Sequence, residues 1–472
     1  MGAQLRSRWP WVVTAVSCLV AGAAAVAVPG AEAAERGAPT VVEVPAGAGG
    51  GHALSGGAGV VDFDGMGYEE AEYLMSGSAT TYGQQGFWTD NGFWDAKATG
   101  SPTPYKTRLL VERPKDPAKF NGTVIVEWMN VTFGVDIPVD LSQSYTYAAK
   151  HGYAYVGVTA QKAGADKLVA LDPARYQGVS LPNDDISYDV LTQAARAVRA
   201  DPAITGGGTV RTVLATGHSQ SAARLVTYVN AVQPQEKAYD GFLVHGRASF
   251  STGISGLLPN ANARIRTDLT APVFVLQSET DVPLSSGVRQ DSDRVRTWEV
   301  AGTAHADRYG MDLYDAVNAR DKSINNGAPT VCDTPINAMT FRYAENAALD
   351  HLTRWAQGGT PPPTAQPITT TFGVLVQRDK DGNALGGVRL PDLAVPVNTY
   401  GPNNSGGNVL GACLLLGTTK PLPRSRITQL YPDHATYVKK FTAAADSAQR
   451  SGFLLPEDRA EAIARAQAAA IP

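Results

Sequence analysis

Val210-Arg211-Thr212-Val213-Leu214-Ala215-Thr216-Gly217-His218-Ser219-Gln220-Ser221-Ala222-Ala223-Arg224-Leu225-Val226 changes character at one glycine. Before Gly217 the run is β-branched and apolar. After Ser219, Ala222, Leu225, Val226 and Val229 take up helical spacing. The stretch reads as strand, sharp turn, helix, with Ser219 forced into a strained conformation that exposes its hydroxyl. The residues two positions either side must then be small, as Gly217 and Ser221 are. A G-x-S-x-G-like pattern ending in serine is loose by itself and often marks only a turn. The strand before it and the helix after it make Ser219 the candidate nucleophile.

Working outward, Gly122-Thr123-Val124-Ile125-Val126-Glu127-Trp128 is a near-continuous apolar run, as expected of a strand buried on both faces of a parallel sheet. A helix is expected over about 141–151 and a strand over 153–159. Asn183-Asp184-Asp185 opens a helix carrying Ile186, Val190, Leu191, Ala194 and Val198, which stops at Asp201-Pro202. Further strands are read at 242–244, 273–276 and 295–300, and earlier ones at 68–82 and 105–113. Alternating strands and helices imply an α/β fold with a doubly wound, mainly parallel sheet. A helix from about Ala338 to Trp355 precedes Pro361-Pro362-Pro363. A Gly- and Pro-rich stretch and two helices complete the chain. The expected organisation is a leader over 1–33, a flexible lead-in over 34–59, a catalytic core over 60–360 and a C-terminal elaboration over 361–472 packed on the core.

A serine nucleophile needs a base within hydrogen-bond reach and an acid to orient that base. The strand 273–276 runs into Gln277-Ser278-Glu279-Thr280-Asp281, and the next strand runs into Ala301-Gly302-Thr303-Ala304-His305. The order serine, acid, histidine is that of the α/β-hydrolases. His305 is the base by position, and both Glu279 and Asp281 are candidates for the acid. Asp281 is favoured if Ser278 takes the place of the glycine that usually follows this strand. His218 is expected to pack against the sheet. His245, at the end of the strand after the elbow helix, is a candidate for the substrate pocket. The oxyanion hole is expected from the N–H of Gln220 and a second donor at Asn130, through its amide, its side chain or the N–H of Val131.

These stretches, with Val126-Glu127-Trp128-Met129-Asn130, Gly157-Val158-Thr159-Ala160-Gln161 and Gly302-Thr303-Ala304-His305-Ala306-Asp307, resemble the α/β-hydrolase superfamily of serine esterases and lipases over roughly 122–355. More narrowly, they resemble a secreted bacterial group known only by its alpha/beta hydrolase domain. Gly386-Gly387-Val388-Arg389-Leu390-Pro391 extends the likeness past the core. The resemblance implies hydrolysis of a small-molecule carboxylic ester through an acyl-enzyme, with no metal and no organic cofactor. A peptidase or amidase on the same fold is the nearest alternative, and a non-catalytic binding protein that retains the fold is another. The residues do not indicate an oligomeric state.

The 472 residues are 43% hydrophobic with a formal net charge of −4, enough chain for a large core and no basic footprint for nucleic acid. Arg6 and Arg8 precede an apolar run from Trp9 to Val28, and Ala31-Glu32-Ala33 supplies a small-x-small cleavage pattern. Export is therefore expected, with a mature chain starting near Ala34 and no stable membrane insertion after cleavage. An uncleaved anchor is the alternative, because the run is almost long enough to span a bilayer. Removal of the leader takes Cys18 with it and leaves Cys332 and Cys413, an even pair expected to form one disulfide. Two buried free thiols would be the other outcome.

Overall fold

The computed structural model describes residues 38–255, 259–409 and 411–471, so the expected leader lies outside the described residues. One nine-stranded sheet organises the chain. Its strands are β1 (Thr40–Glu43), β2 (Tyr68–Gln85), β3 (Asp95–Pro114), β4 (Thr123–Trp128), β5 (Ala154–Val158), β6 (Thr212–His218), β7 (Gly241–His245), β8 (Val273–Ser278) and β9 (Val295–Val300). The order is β1-β2-β3-β5-β4-β6-β7-β8-β9, antiparallel as far as the β3–β5 pair and parallel from β5 to β9.

The apolar runs of β4 and β6 are buried at every position, because helices cover both faces. Alternation along each strand sends side chains to opposite sides. Val124, Val126, Val213 and Ala215 join one core with Tyr188, Leu191 and Leu225 of the helices Ser187–Ala200 and Gln220–Thr227. Ile125 and Leu214 join the other with Leu141, Ala344 and Phe441 of the helices Val139–Lys150, Phe341–Ala356 and His434–Arg450. This is the doubly wound α/β architecture expected.

Three regions differ from the sequence reading. The lead-in, expected to be irregular, supplies β1, whose four residues pair with β2. Its carbonyls at Ala53, Leu54 and Gly56 accept from Arg320 and the fully buried Arg108. Arg108 also reaches the Asp136 carboxylate at 2.7 Å. Contacts hundreds of positions apart in sequence order this segment, and composition does not register them.

Secondly, helices at Lys162–Leu171 and Arg308–Asp321 were not legible. The latter buries only Gly310 and Asn318, so it carries no apolar stripe.

Thirdly, the early strands form a longer hairpin than the 68–82 and 105–113 runs suggest, extending to Gln85 and starting at Asp95.

The C-terminal segment extends the core in two ways. Val388 bridges Val300 in parallel, exchanging bonds with Glu299 and Ala301. The helices His434–Arg450 and Pro456–Ala468 lie on the second core cluster, with Asn346 donating to Asp458 at 3.1 Å. Cys332 and Cys413 form a disulfide with their Cα atoms 5.7 Å apart. Among the described residues no helix is long and apolar enough to cross a membrane.

Candidate active site

The serine sits where the strand-turn-helix pattern puts it. Ser219 follows β6 and precedes the helix Gln220–Thr227, with φ 61° and ψ −116°. A non-glycine residue held there is strained, and the surroundings must enforce it. The Ser219 N–H bonds the carbonyl of His245 at 2.9 Å, and its own carbonyl takes the N–H of Ala223 at 3.1 Å. A methyl group built on Gly217 would lie 3.2 Å from Ser221 Cβ and 3.3 Å from the Ser221 backbone, the close approach that requires small residues at both positions.

His305 comes from the loop after β9 and Asp281 from the loop after β8. Nδ1 of His305 lies 2.6 Å from Asp281 Oδ1. Oδ2 of Asp281 accepts from the N–H and hydroxyl of Ser278, at 2.8 and 2.7 Å. Burial by itself would raise the Asp281 carboxyl; the His305 imidazole and the Ser278 donors outweigh it and hold the group below the usual carboxylate range.

The neighbouring acid goes elsewhere. Glu279 accepts the N–H of Gly302 at 2.8 Å and pairs with Arg378 at 2.5 Å, while burial pushes its carboxyl up despite that guanidinium. Of the two candidate acids, only Asp281 touches His305.

Ser219, His305, His218 and Asn130 line one cavity of about 100 Å³. Its other walls are largely apolar, including Phe133, Ile137, Val139, Met311, Tyr314 and Leu415. Leu415 belongs to the short helix Cys413–Leu416, which is held by the disulfide and by bonds from Ala306 N–H to Leu415 O and from Asn337 N–H to Leu416 O. The C-terminal elaboration thus supplies a wall of the cavity.

The expected oxyanion donors fare differently. Gln220 N–H opens a helix, where the first N–H groups have no intrahelical acceptor. The Asn130 N–H is committed to Ile137 O at 3.1 Å, and its side-chain amide donates to the carbonyl of His218 at 3.0 Å. Among the described residues the N–H of Val131 has no acceptor.

Of the other two histidines, His218 is buried as expected and His245 departs from its expected place. His218 lines the cavity, and its Nε2 lies 3.0 Å from the carbonyl oxygen of His305, linking the elbow to the loop after β9. Burial lowers its pKa well below the usual value, and the rings of His305 and His245 add to the effect. His245, expected at the pocket, is 1% exposed and does not line the cavity. Its ring packs on His218 with centroids 4.4 Å apart, and Nδ1 binds Asp140 Oδ1 at 2.6 Å. The side chain ending β7 points into the core beside the helix Val139–Lys150, a direction that strand position alone does not give.

The family profile described as "Alpha/beta hydrolase domain" matches residues 38–464, and the chain belongs to that family. No curated protein matches it in sequence. Among solved structures, a dienelactone hydrolase candidate from Klebsiella pneumoniae is 16% identical, covering 54% of this chain and 83% of its own, with TM-score 0.25. A serine hydrolase homologue from Coxiella burnetii is 13% identical, covering 47% and 92%, with TM-score 0.30. A Xanthomonas campestris serine hydrolase without a lid is 12% identical, covering 54% and 95%, with TM-score 0.29.

Proposed function

We propose that the protein is an exported serine hydrolase that cleaves carboxylic esters of small molecules through an acyl-enzyme on Ser219. The observation that carries this reading is the convergence, on one apolar cavity, of a serine strained at φ 61° and a histidine whose far nitrogen is held by Asp281 at 2.6 Å.

In this mechanism Ser219 Oγ attacks the ester carbonyl while His305 Nε2 takes its proton. The C–O bond to the alcohol then breaks, and His305 returns the proton to the departing oxygen. Asp281 keeps the proton on Nδ1 and stabilises the imidazolium. Water repeats the sequence on the acyl-enzyme and frees the acid. The Gln220 N–H, together with Val131 N–H or the second proton of the Asn130 amide, would stabilise the oxyanion, since the Asn130 N–H is occupied.

The apolar lining favours esters with an alkyl or aryl group on at least one side. Export is supported by the Cys332–Cys413 disulfide together with the N-terminal apolar run. The test is labelling of Ser219 by a fluorophosphonate, alongside turnover of matched p-nitrophenyl esters and p-nitroanilides. Labelling with ester turnover far above anilide turnover is expected. Anilide turnover of equal size would make the protein an amidase, and no labelling would remove the nucleophile assignment.

A further inference from the structure

Beside the elbow, three buried side chains from three elements converge outside the cavity that Ser219 lines. Asp140 opens the helix Val139–Lys150, His245 ends β7, and Glu345 projects from the helix Phe341–Ala356. A ligand atom from each lies within 4.8 Å of the other two. Nδ1 of His245 is 2.6 Å from Asp140 Oδ1 and 3.9 Å from Glu345 Oε2.

Glu345 is 0% exposed, and neither of its carboxylate oxygens has a hydrogen-bond partner. Burying such a group unpaired is costly whether it is charged or neutral, because a protonated carboxyl still needs an acceptor for its O–H.

The surroundings increase that cost. Glu127, fully buried, accepts the N–H groups of Asp140 and Leu141 and the Tyr155 hydroxyl. Asp307, also buried, accepts from Gln143 and Gly310 and leaves Oδ2 unpartnered. Asp140 Oδ2 accepts from the Thr216 hydroxyl. Three buried carboxylates therefore cluster around Glu345, with one imidazole among them.

We propose that Asp140, His245 and Glu345 bind a divalent first-row transition cation of the zinc class, the three side chains taking three tetrahedral positions and a water the fourth. Zinc binds nitrogen and oxygen at about 2.0–2.2 Å, which puts the ligand atoms of a tetrahedral site roughly 3.3 Å apart. The observed 2.6 and 3.9 Å separations bracket that value and all three atoms lie within 4.8 Å of one another, so side-chain rotations close the site. Two carboxylates with one imidazole suit zinc or manganese, whereas calcium and magnesium prefer oxygen ligands throughout.

The ion bonds to Nδ1 and displaces the proton shared with Asp140, which moves to Nε2 or to water.

The ion would brace His245, whose carbonyl holds the Ser219 N–H, so its loss should be read in stability before turnover. The test uses the untagged full chain, incubated with zinc or manganese at neutral pH, dialysed, and assayed for metal content and thermal unfolding. About one equivalent retained, with a melting temperature that falls on chelation, is expected for the wild type. Glu345→Gln, and independently Asp140→Asn, should retain none and lose the response to chelator, while fluorophosphonate still labels Ser219. No retained metal in the wild type, or equal retention in both variants, overturns the proposal.

Discussion

Two imidazole–carboxylate pairs of equal length pack against His218. His305 meets Asp281 at 2.6 Å and His245 meets Asp140 at 2.6 Å. Their ring centroids lie 4.3 and 4.4 Å from that of His218. The first pair sits on loops at the ends of β8 and β9, and His305, 7% exposed, faces the cavity. The second is sealed between a strand end and two helices, with Nε2 of His245 unpartnered. The hydrogen bond is the same in both, and what separates them is access to the strained serine. A histidine held by an aspartate becomes a base only where its other nitrogen reaches a reacting proton.

The strongest way to break this comparison is Ser219→Ala. Ester turnover should fall by up to about 10⁶, leaving a residual rate on the order of 10³ over water from binding and the oxyanion donors, with an unchanged unfolding curve. Activity near wild type would return both pairs to structural roles.

Next comes Asp281→Asn, which keeps the shape and loses the charge. A fall in kcat of about 10⁴ is expected, with little change in KM. The same variant reports on pH. Because the folded carboxyl titrates below its unfolded value, its stabilisation is present at neutral pH and disappears as pH falls through the lowered folded value. Denaturant melts of the wild type across that acidic range should lose stability more steeply than those of Asp281→Asn.

Asp140→Asn makes the matching change in the sealed pair. It should lower stability by about 1–3 kcal/mol through the buried partners left behind, with a far smaller effect on kcat than Asp281→Asn. Equal losses of kcat would show that the sealed pair acts on the chemistry.

Glu279→Gln sharpens the comparison within one loop. Its carboxylate serves Arg378 and Gly302, so the melting temperature should fall while kcat stays near wild type. A loss like that of Asp281→Asn would transfer the acid role.

The smallest effect on kcat is expected from reduction of Cys332–Cys413. Opening this link across 81 positions should cost at most about 4.5 kcal/mol of stability. It should also raise KM for bulky esters, as the wall carrying Leu415 loosens. An unchanged KM would detach the disulfide from the cavity.

The elbow, the parallel strands and the loops bearing Asp281 and His305 were legible because they rest on local chemistry. A β-branched run, a glycine and a helical stripe leave few conformations open, and both loops follow strands whose apolar character is continuous. Register favoured Asp281 over Glu279, and tertiary structure then separated them, because each reaches a different distant partner, His305 or Arg378. Tertiary structure also turned His245 inward toward Asp140, brought Leu415 across the cavity, and built an edge strand from Thr40–Glu43. Periodicity reports which face of an element is apolar. Which buried polar group meets which is decided by packing between elements far apart in the chain, where the cost of an unpaired charge selects the partner.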